Sequence, residues 1–189
     1  MDVTLERFYE IIKSRRSIRK FDERPVPREI LERVMDAALF APSALDMQPW
    51  YLHVLTGARR DEFAAICRAI WDKLKPTILE RYGDEGVAIR EPFYRNLGGA
   101  PVAIAIYADE DCAEHWAFAG CAMAAENLML AATAEGIGSL YMGAQLMIKE
   151  QVDAFFGEHR RLIGCVLLGY SADEPKTWER RGDRISWGE

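Results

Sequence analysis

The first half of the chain alternates helical and extended hydrophobic patterns. Apolar residues at helical spacing predict a short amphipathic helix over residues 4–13 with one buried stripe. A second apolar face predicts a helix that begins at Pro27, a residue suited to a first helical turn, and stops before Pro42. Residues 51–56 predict a strand, and residues 59–74 predict a third helix. The stripe of the first helix consists of Leu5, Phe8, Tyr9 and Ile12.

The regular pattern stops between residues 75 and 99, where prolines and glycines interrupt charged and aromatic residues. Long irregular segments run over the surface of a domain and often serve as lids. We therefore predict a surface excursion here. The interrupting residues are Pro76, Gly83, Gly86, Pro92, Gly98 and Gly99.

The second half of the chain predicts two buried strands and a long apolar helix. The runs PVAIAIY at 101–107 and LIGCVLLGY at 162–170 are short and rich in β-branched residues, which is typical of central strands. An alanine-rich helix covers 116–134, and a shorter one lies near 148–156. A carboxylate deep in lipid costs on the order of 3 kcal/mol, so Glu126 favours a buried helix over a membrane span. The element order indicates an α+β or α/β sandwich.

Composition narrows the classes of function. A length of 189 residues favours one domain, and 24 Lys and Arg against 30 Asp and Glu give a net charge of −6. This balance argues against nucleic acid or an anionic membrane as a partner, so any anion is bound locally. The four cysteines contain no C-x-x-C pair, and the N-terminus has no signal-peptide pattern. We expect a cytoplasmic protein.

Two basic segments are candidates for local anion binding. Between Lys13 and Lys20 the chain has five cations and no acid, within the sequence SRRSIRKF at 14–21. Arginine presents a planar fork of donors that matches phosphate oxygens, although a solvated turn would have the same composition. The tail KTWERRGDR at 176–184 is either solvated or folds back to complete the same site. Its cations are Lys176, Arg180, Arg181 and Arg184.

Two loops are candidates for contact with a flat ligand. APSALDMQPW at 41–50 is stiffened by Pro42 and Pro49, although it also fits a simple helix-terminating turn. GIGSLYMGA at 136–144 lacks the third glycine of a dinucleotide fingerprint, which disfavours a nicotinamide-binding Rossmann domain. Its glycines allow close approach of the backbone to a ligand, or cap a helix at Gly136.

A metal site is the alternative from a different class of protein. Cys112, His115 and Cys121 supply three side chains that bind zinc, but the spacing places Cys121 away from the other two and no fourth ligand is evident. The sequence contains no H-E-x-x-H, G-x-S-x-G or P-loop motif. We therefore predict no metal and no side-chain nucleophile, and keep a metal-linked thiol sensor as a third hypothesis.

Taken in order, four segments resemble the FMN-dependent nitroreductase family over essentially the whole chain. They are SRRSIRKF, APSALDMQPW, AENLMLAATAEGIGSLYMGA and LIGCVLLGYSADEP. The resemblance implies a single α+β domain, residues 1–189, in which a mostly antiparallel central sheet is flanked by helices and residues 75–99 form a variable substrate-side region. It also implies a homodimer with FMN at each of two interface sites.

The resemblance also assigns residues to the cofactor. Arg15, Arg16, Ser17 and Arg19 match the positions that hold the phosphate, the ribityl chain and the N1/O2 edge of the ring, and Arg180 or Arg181 would complete the phosphate site. A cation near N1 stabilises the anionic reduced flavin, which makes Arg19 the candidate for tuning it. Backbone N–H groups of Met142 and Gly143 would face N5 and O4. The remaining matches are Pro42, Ser43, Ala44, Asp46 and Gln48 of the loop that reaches the flavin of the partner subunit, and Leu140 and Tyr141 of the flavin-facing turn.

The implied chemistry is a ping-pong reaction in which NAD(P)H reduces FMN and a nitroaromatic, a quinone or a similar conjugated acceptor reoxidises it. A flavin-consuming or reductive dehalogenating enzyme of the same fold is the runner-up. Asp46 is a departure, since the family often has Asn there and an ionised carboxylate only accepts hydrogen bonds.

Overall fold

A four-stranded antiparallel sheet lies at the centre of the computed structural model, which describes residues 4–175, 177 and 179–188. The strand order is β1-β2-β4-β3, so β2 and β4 are the inner strands. All seven residues of β2 are buried, which confirms that it is a central strand. The strands are β1 (Trp50–Thr56), β2 (Val102–Ala108), β3 (Gly138–Met142) and β4 (Arg161–Gly169).

Helices cover both faces of the sheet, which confirms the predicted α+β sandwich. Because successive side chains of a strand point to opposite faces, Ile104 packs in one hydrophobic layer with α2 and α4, and Ala105 packs in the other with α3 and α5. The helices are α1 (Leu5–Ser14), α2 (Arg28–Leu39), α3 (Gly57–Asn96), α4 (Glu114–Ala134) and α5 (Lys149–Phe156).

The prediction that residues 75–99 form an irregular excursion is wrong for most of that range. Helical structure continues through α3 to Asn96, with one break at Gly83, where φ is 64° and ψ is −167°. The chain turns back at this break, and the second segment packs on the first. Tyr94 stacks on Trp71 with ring centroids 5.5 Å apart, and Arg68 Nε donates to the carbonyl of Arg95. Packing between the two segments of α3 therefore outweighs the prolines and glycines that suggested irregular structure.

The apolar stripe of α1 is exposed, contrary to the prediction that it is buried. No residue of α1 is buried, and Phe8 remains 51% and Leu5 70% exposed. The helix contacts α4 of the same chain, but none of its apolar side chains belongs to the described core. The stripe is thus available to a partner.

Helix α4 is a core helix with large apolar side chains at the margins of its buried face. Its length and apolar composition alone would allow it to cross a membrane, yet eight of its residues are buried, and seven of these pack in one hydrophobic layer with the sheet and α2. This confirms the predicted buried helix on one side. Trp116 and Phe118, which flank the buried face on opposite sides, remain 41% and 53% exposed.

Candidate functional site

The basic segment after α1 is held in an extended conformation between two parts of the fold. The backbone N–H of Ile18 donates to the carbonyl of Ser139 on the edge strand β3, at 2.9 Å. Three residues later, the N–H of Phe21 donates to the carbonyl of Gly98, also at 2.9 Å. Ser17 forms a parallel bridge with Ser139. Backbone pairing thus fixes the direction of the arginines that flank these residues.

The chain that leaves β4 pairs with the other side of the same segment. The N–H of Asp22 donates to the carbonyl of Tyr170, and the N–H of Ala172 donates to the carbonyl of Lys20, each at 2.9 Å. These two bonds turn the C-terminal tail across the basic segment. They explain how Arg180, far away in the sequence, reaches the N-terminal arginines.

A cleft of about 1080 Å³ lies where these segments meet the second half of α3. Its size suits a ligand larger than most drug-like molecules, for which sites of roughly 300–1,000 Å³ are common. Five of the predicted cofactor residues line it, namely Arg15, Arg16, Ser17, Arg19 and Arg180. Residues that the sequence analysis did not assign to the site also line it: Lys20, Ile89, Arg90, Pro92, Phe93, Tyr94, Gly98, Asp173, Glu174 and Pro175.

The arginines of the cleft are partly fixed by the protein itself. Arg16 Nη1 donates to the carbonyls of Lys13 and Arg15, the latter at 2.8 Å. Arg15 Nε lies 3.5 Å from a carboxylate oxygen of Glu126 on α4. Arg19 Nη1 donates to the carbonyl of Ser17 at 3.3 Å. Each guanidinium has five N–H donors, so these contacts orient the side chains and leave donors for an anion.

Gly98 allows the backbone of the basic segment to approach α3 closely. Its φ is +65°, and a Cβ atom at this position would lie 2.3 Å from the carbonyl oxygen of Arg19. Only glycine combines this left-handed conformation with so short an approach. Gly98 therefore sets the position of Arg19 at the edge of the cleft.

The second segment of α3 forms an aromatic wall of the cleft. Phe93 and Tyr94 meet edge to face at 5.0 Å, and burial raises the pKa of Tyr94 although the positive charges of Arg19 and Arg90 oppose this. The interpretation of residues 75–99 as irregular missed this wall. A usable signal was present, because Arg90, Phe93 and Tyr94 have the i, i+3, i+4 spacing of one helical face.

The loop 42–48 does not line the cleft within one chain, but its backbone is strained. Leu45, Asp46 and Gln48 have φ values of 52°, 54° and 45°, an uncommon conformation for residues other than glycine. The loop is braced internally: Gln48 N donates to Ser43 Oγ and Gln48 Nε2 donates to Asp46 Oδ1, both at 2.9 Å. Strain of this kind is concentrated at functional sites. Pro42 and Ala44 belong to the same loop and likewise lie outside the cleft.

The predicted flavin-facing turn offers backbone groups rather than side chains. Leu140 and Met142 are buried in the core, and the Tyr141 hydroxyl donates to the carbonyl of Ile163 at 3.1 Å. Gly143 is exposed at the end of the edge strand β3. None of the four lines the cleft, and neither does Arg181. Lys176 lies outside the described residues.

The cysteines do not form a metal site in the part of the chain that the structure describes. All four are free and buried, and no group of three or more His, Cys, Asp or Glu side chains there is arranged to hold a metal. Cys112 precedes α4, whereas His115 lies in its first turn and Cys121 further along it. Burial raises the pKa of Cys121 to about 12, which keeps that thiol protonated.

Comparison with known proteins gives a consistent result over the whole chain. The model of the Nitroreductase family matches residues 12–170. A relative from Methanothermobacter thermautotrophicus, provisionally named NADH dehydrogenase/NAD(P)H nitroreductase, is 30% identical over 89% of this chain and 79% of its own length. The crystal structure of the FMN-dependent nitroreductase NfnB from Mycobacterium smegmatis in complex with NADPH has a TM-score of 0.83 at 22% identity, covering 98% of this chain and all of the other. A nitroreductase from Bacteroides fragilis with bound FMN has a TM-score of 0.74 at 25% identity, covering 96% and 98% of the two chains.

Proposed function

The chain belongs to the nitroreductase family, and on that premise we propose that it is an FMN-dependent NAD(P)H oxidoreductase that reduces nitroaromatic, quinone or similar conjugated acceptors. The observation that carries the proposal is the composition of the cleft. Three arginines and a serine from residues 15–19 lie there together with Arg180, which is more than 160 residues away in the sequence. Relatives and structural neighbours named as NAD(P)H- and FMN-dependent nitroreductases support it.

The donors in the cleft fit FMN. A phosphate dianion requires several clustered N–H donors, and the guanidinium groups of Arg15, Arg16 and Arg180 supply them without net positive charge on the whole protein. The Ser17 hydroxyl adds a further donor beside them. Between Arg180 and Arg181, the cleft favours Arg180 as the residue that completes the phosphate site.

FMN, if held in the cleft by these residues, would supply the redox chemistry between NAD(P)H and the acceptor. The protein supplies position and electrostatics. Arg19, whose Nη1 donates to the Ser17 carbonyl at 3.3 Å, would supply a cation that stabilises negative charge on the reduced ring. The backbone N–H groups of Met142 and Gly143 at the end of β3 would face the opposite edge of the ring.

We further propose that a second copy of the chain covers the exposed apolar side chains of α1 and α4 and completes each flavin site. Large apolar side chains on both helices are exposed in the single chain, including Phe8 at 51% and Phe118 at 53%. An exposed apolar surface of this kind marks an association site. The strained loop 42–48 belongs to the same proposal, because it lies outside its own chain's cleft and would reach the cleft of the partner.

A cytoplasmic location is part of the proposal. It is supported by four free, buried cysteines, which is the usual state of thiols in a reducing compartment. The stable unit would then be a dimer that needs no disulfide.

The purified protein tests this function directly. We expect a yellow protein whose visible flavin absorbance bleaches when NADH or NADPH is added without oxygen, and returns when a nitroaromatic or a quinone is added. Light scattering should give twice the mass of the 189-residue chain. A colourless protein that takes up no FMN would refute the proposal, and consumption of the FMN during turnover would instead support the flavin-consuming alternative.

A further inference from the structure

The cleft contains more positive charge than FMN requires. The resemblance assigns Arg15, Arg16, Arg19 and one C-terminal arginine to the cofactor, yet Lys20 and Arg90 also line the cleft. The acids among its lining residues, Asp173 and Glu174, both lie on the C-terminal tail. Two cations among the lining residues, Lys20 and Arg90, are therefore left without an assigned role. The following inference rests on the proposed function and concerns the second substrate of that same site.

Arg90 is held in place before any ligand binds. Its guanidinium lies over the ring of Tyr82, 4.4 Å from the ring centroid, and its Nη1 donates to the carbonyl of Gly86 at 3.1 Å. The side chain is half-buried. A guanidinium fixed in this way loses little conformational freedom when it binds an anion, so it binds more tightly than a mobile surface cation.

An apolar wall adjoins Arg90. Phe93 and Tyr94 come from the next turn of the same helix, and the stacking of Tyr94 on Trp71 fixes the orientation of its ring. The positive charges of both Arg19 and Arg90 act on the Tyr94 hydroxyl. Tyr94 of the aromatic wall is therefore close to both Arg19, which is assigned to the flavin ring, and Arg90, which has no assigned role.

We propose that Arg90, together with Lys20, forms a second anion subsite that binds a negatively charged group of the second substrate while the aromatic wall contacts its flat part. Two substrates carry such a group next to a planar ring system: an aromatic acceptor with a carboxylate, and NADPH with its 2′-phosphate. The shared chemistry is an anionic group that can accept hydrogen bonds from a guanidinium, on a substrate that also carries a planar ring.

The test compares charged and neutral substrates in the full-length, FMN-loaded protein. In wild type and in Arg90→Gln, kcat/KM is measured for 4-nitrobenzoate and for its neutral isostere 4-nitrobenzamide, with NADH as donor. It is then measured for NADPH and for NADH, with the amide as acceptor. Loss of a charge-assisted hydrogen bond should lower one of the two ratios, charged over neutral, about ten-fold. Arg90→Lys should restore part of the lost preference.

Arg95→Gln is the matched control, because it removes the same charge from the same segment of α3, but Arg95 pairs with Glu91 and lies outside the cleft lining. A fall confined to the benzoate ratio supports the subsite and identifies a carboxylate, and a fall confined to the NADPH ratio supports it and identifies the phosphate. If both ratios in Arg90→Gln equal those in Arg95→Gln, the inference is overturned.

Lys20→Gln gives a second reading if Arg90→Gln fails to fold, and it should lower the same ratio. Rising salt should also weaken the preference of the wild type for the charged substrate, since partly exposed charges are screened. If the wild type bleaches with NADH but has no preference for either charged substrate, the inference is overturned and the proposed function stands. Failure of the proposed function is seen separately as a protein that does not bleach at all, and it would remove the basis for the subsite too.

Discussion

Replacement of Gly98 by alanine is the sharpest structural perturbation of the proposed flavin site. The φ of +65° costs an alanine about 1–2 kcal/mol, whatever surrounds it. In addition, the new Cβ would lie 2.3 Å from the carbonyl oxygen of Arg19, and relief of such overpacking typically costs about 1–3 kcal/mol. The carbonyl that has to move belongs to the residue assigned to the flavin ring. We therefore expect Gly98→Ala to lower both the stability and the affinity for FMN.

Gly157→Ala is the control that isolates the clash. Gly157 has a φ of +64° at the end of α5, with nothing within 4 Å of an added Cβ. Both variants should be destabilised because alanine is strained at a positive φ. Only Gly98→Ala should lose about 1–3 kcal/mol more of its free energy of unfolding, or roughly 2–12 °C in Tm for a chain of this size.

The assay is thermal unfolding at one fixed protein concentration, followed by titration of each apoprotein with FMN. Gly98→Ala should unfold at a lower temperature than Gly157→Ala and bind FMN at least about ten-fold more weakly than wild type. Equal melting temperatures for the two variants, with unchanged FMN affinity, would refute the argument that Gly98 positions Arg19.

Three further predictions concern other parts of the molecule. Burial would raise the pKa of Glu158, but hydrogen bonds from His53, from the backbone N–H groups of Arg160 and His159 and from the Arg160 side chain lower it to about 2, from an ordinary value of 4.5. Because the pKa of Glu158 is lower in the folded than in the unfolded protein, this stabilisation is complete above pH 4.5 and is lost as the pH falls toward 2. Glu158→Gln should therefore reduce the loss of stability at acid pH. An unchanged dependence of stability on acid pH would contradict the assignment. Phe8→Glu should give a monomer by light scattering that no longer retains FMN, whereas Arg7→Glu on the polar side of α1 should remain a dimer; a dimeric Phe8→Glu protein would rule out this face as the interface. Burial raises the pKa of Cys67 to about 12, and the other three thiols are buried as well, so the native protein should resist thiol reagents that label it rapidly in denaturant; fast labelling of the native state would favour the thiol-sensor hypothesis.

Local sequence patterns were sufficient for most of the fold. The central strands β2 and β4 could be predicted because a strand buried on both faces is apolar without alternation, and α4 could be predicted because its length and small residues fit a core helix. The way α3 folds back on itself at Gly83 could not be predicted from local patterns. Its second segment is held by the stacking of Tyr94 on Trp71 across the break at Gly83, a long-range contact that local propensity does not contain.

The candidate site divides in the same way. The basic segment was recognisable from composition, since five cations without an acid are unusual in an acidic chain. The exposure of the α1 stripe could not be predicted from the sequence. An amphipathic pattern identifies an apolar face, but it does not show whether the same chain or another one packs against that face. Arg90 was missed because its helix was interpreted as an irregular segment.

The central claim is that the arginine cleft holds the FMN phosphate, and comparison of FMN with riboflavin tests it most directly. The two ligands share the ring and the ribityl chain and differ by the phosphate alone. With at least two charge-assisted contacts to that phosphate, the apoprotein should bind FMN at least about 100-fold more tightly than riboflavin, measured by quenching of flavin fluorescence. Equal affinity for the two flavins would contradict the account, because the arginines at 15, 16 and 180 would then have no phosphate to bind.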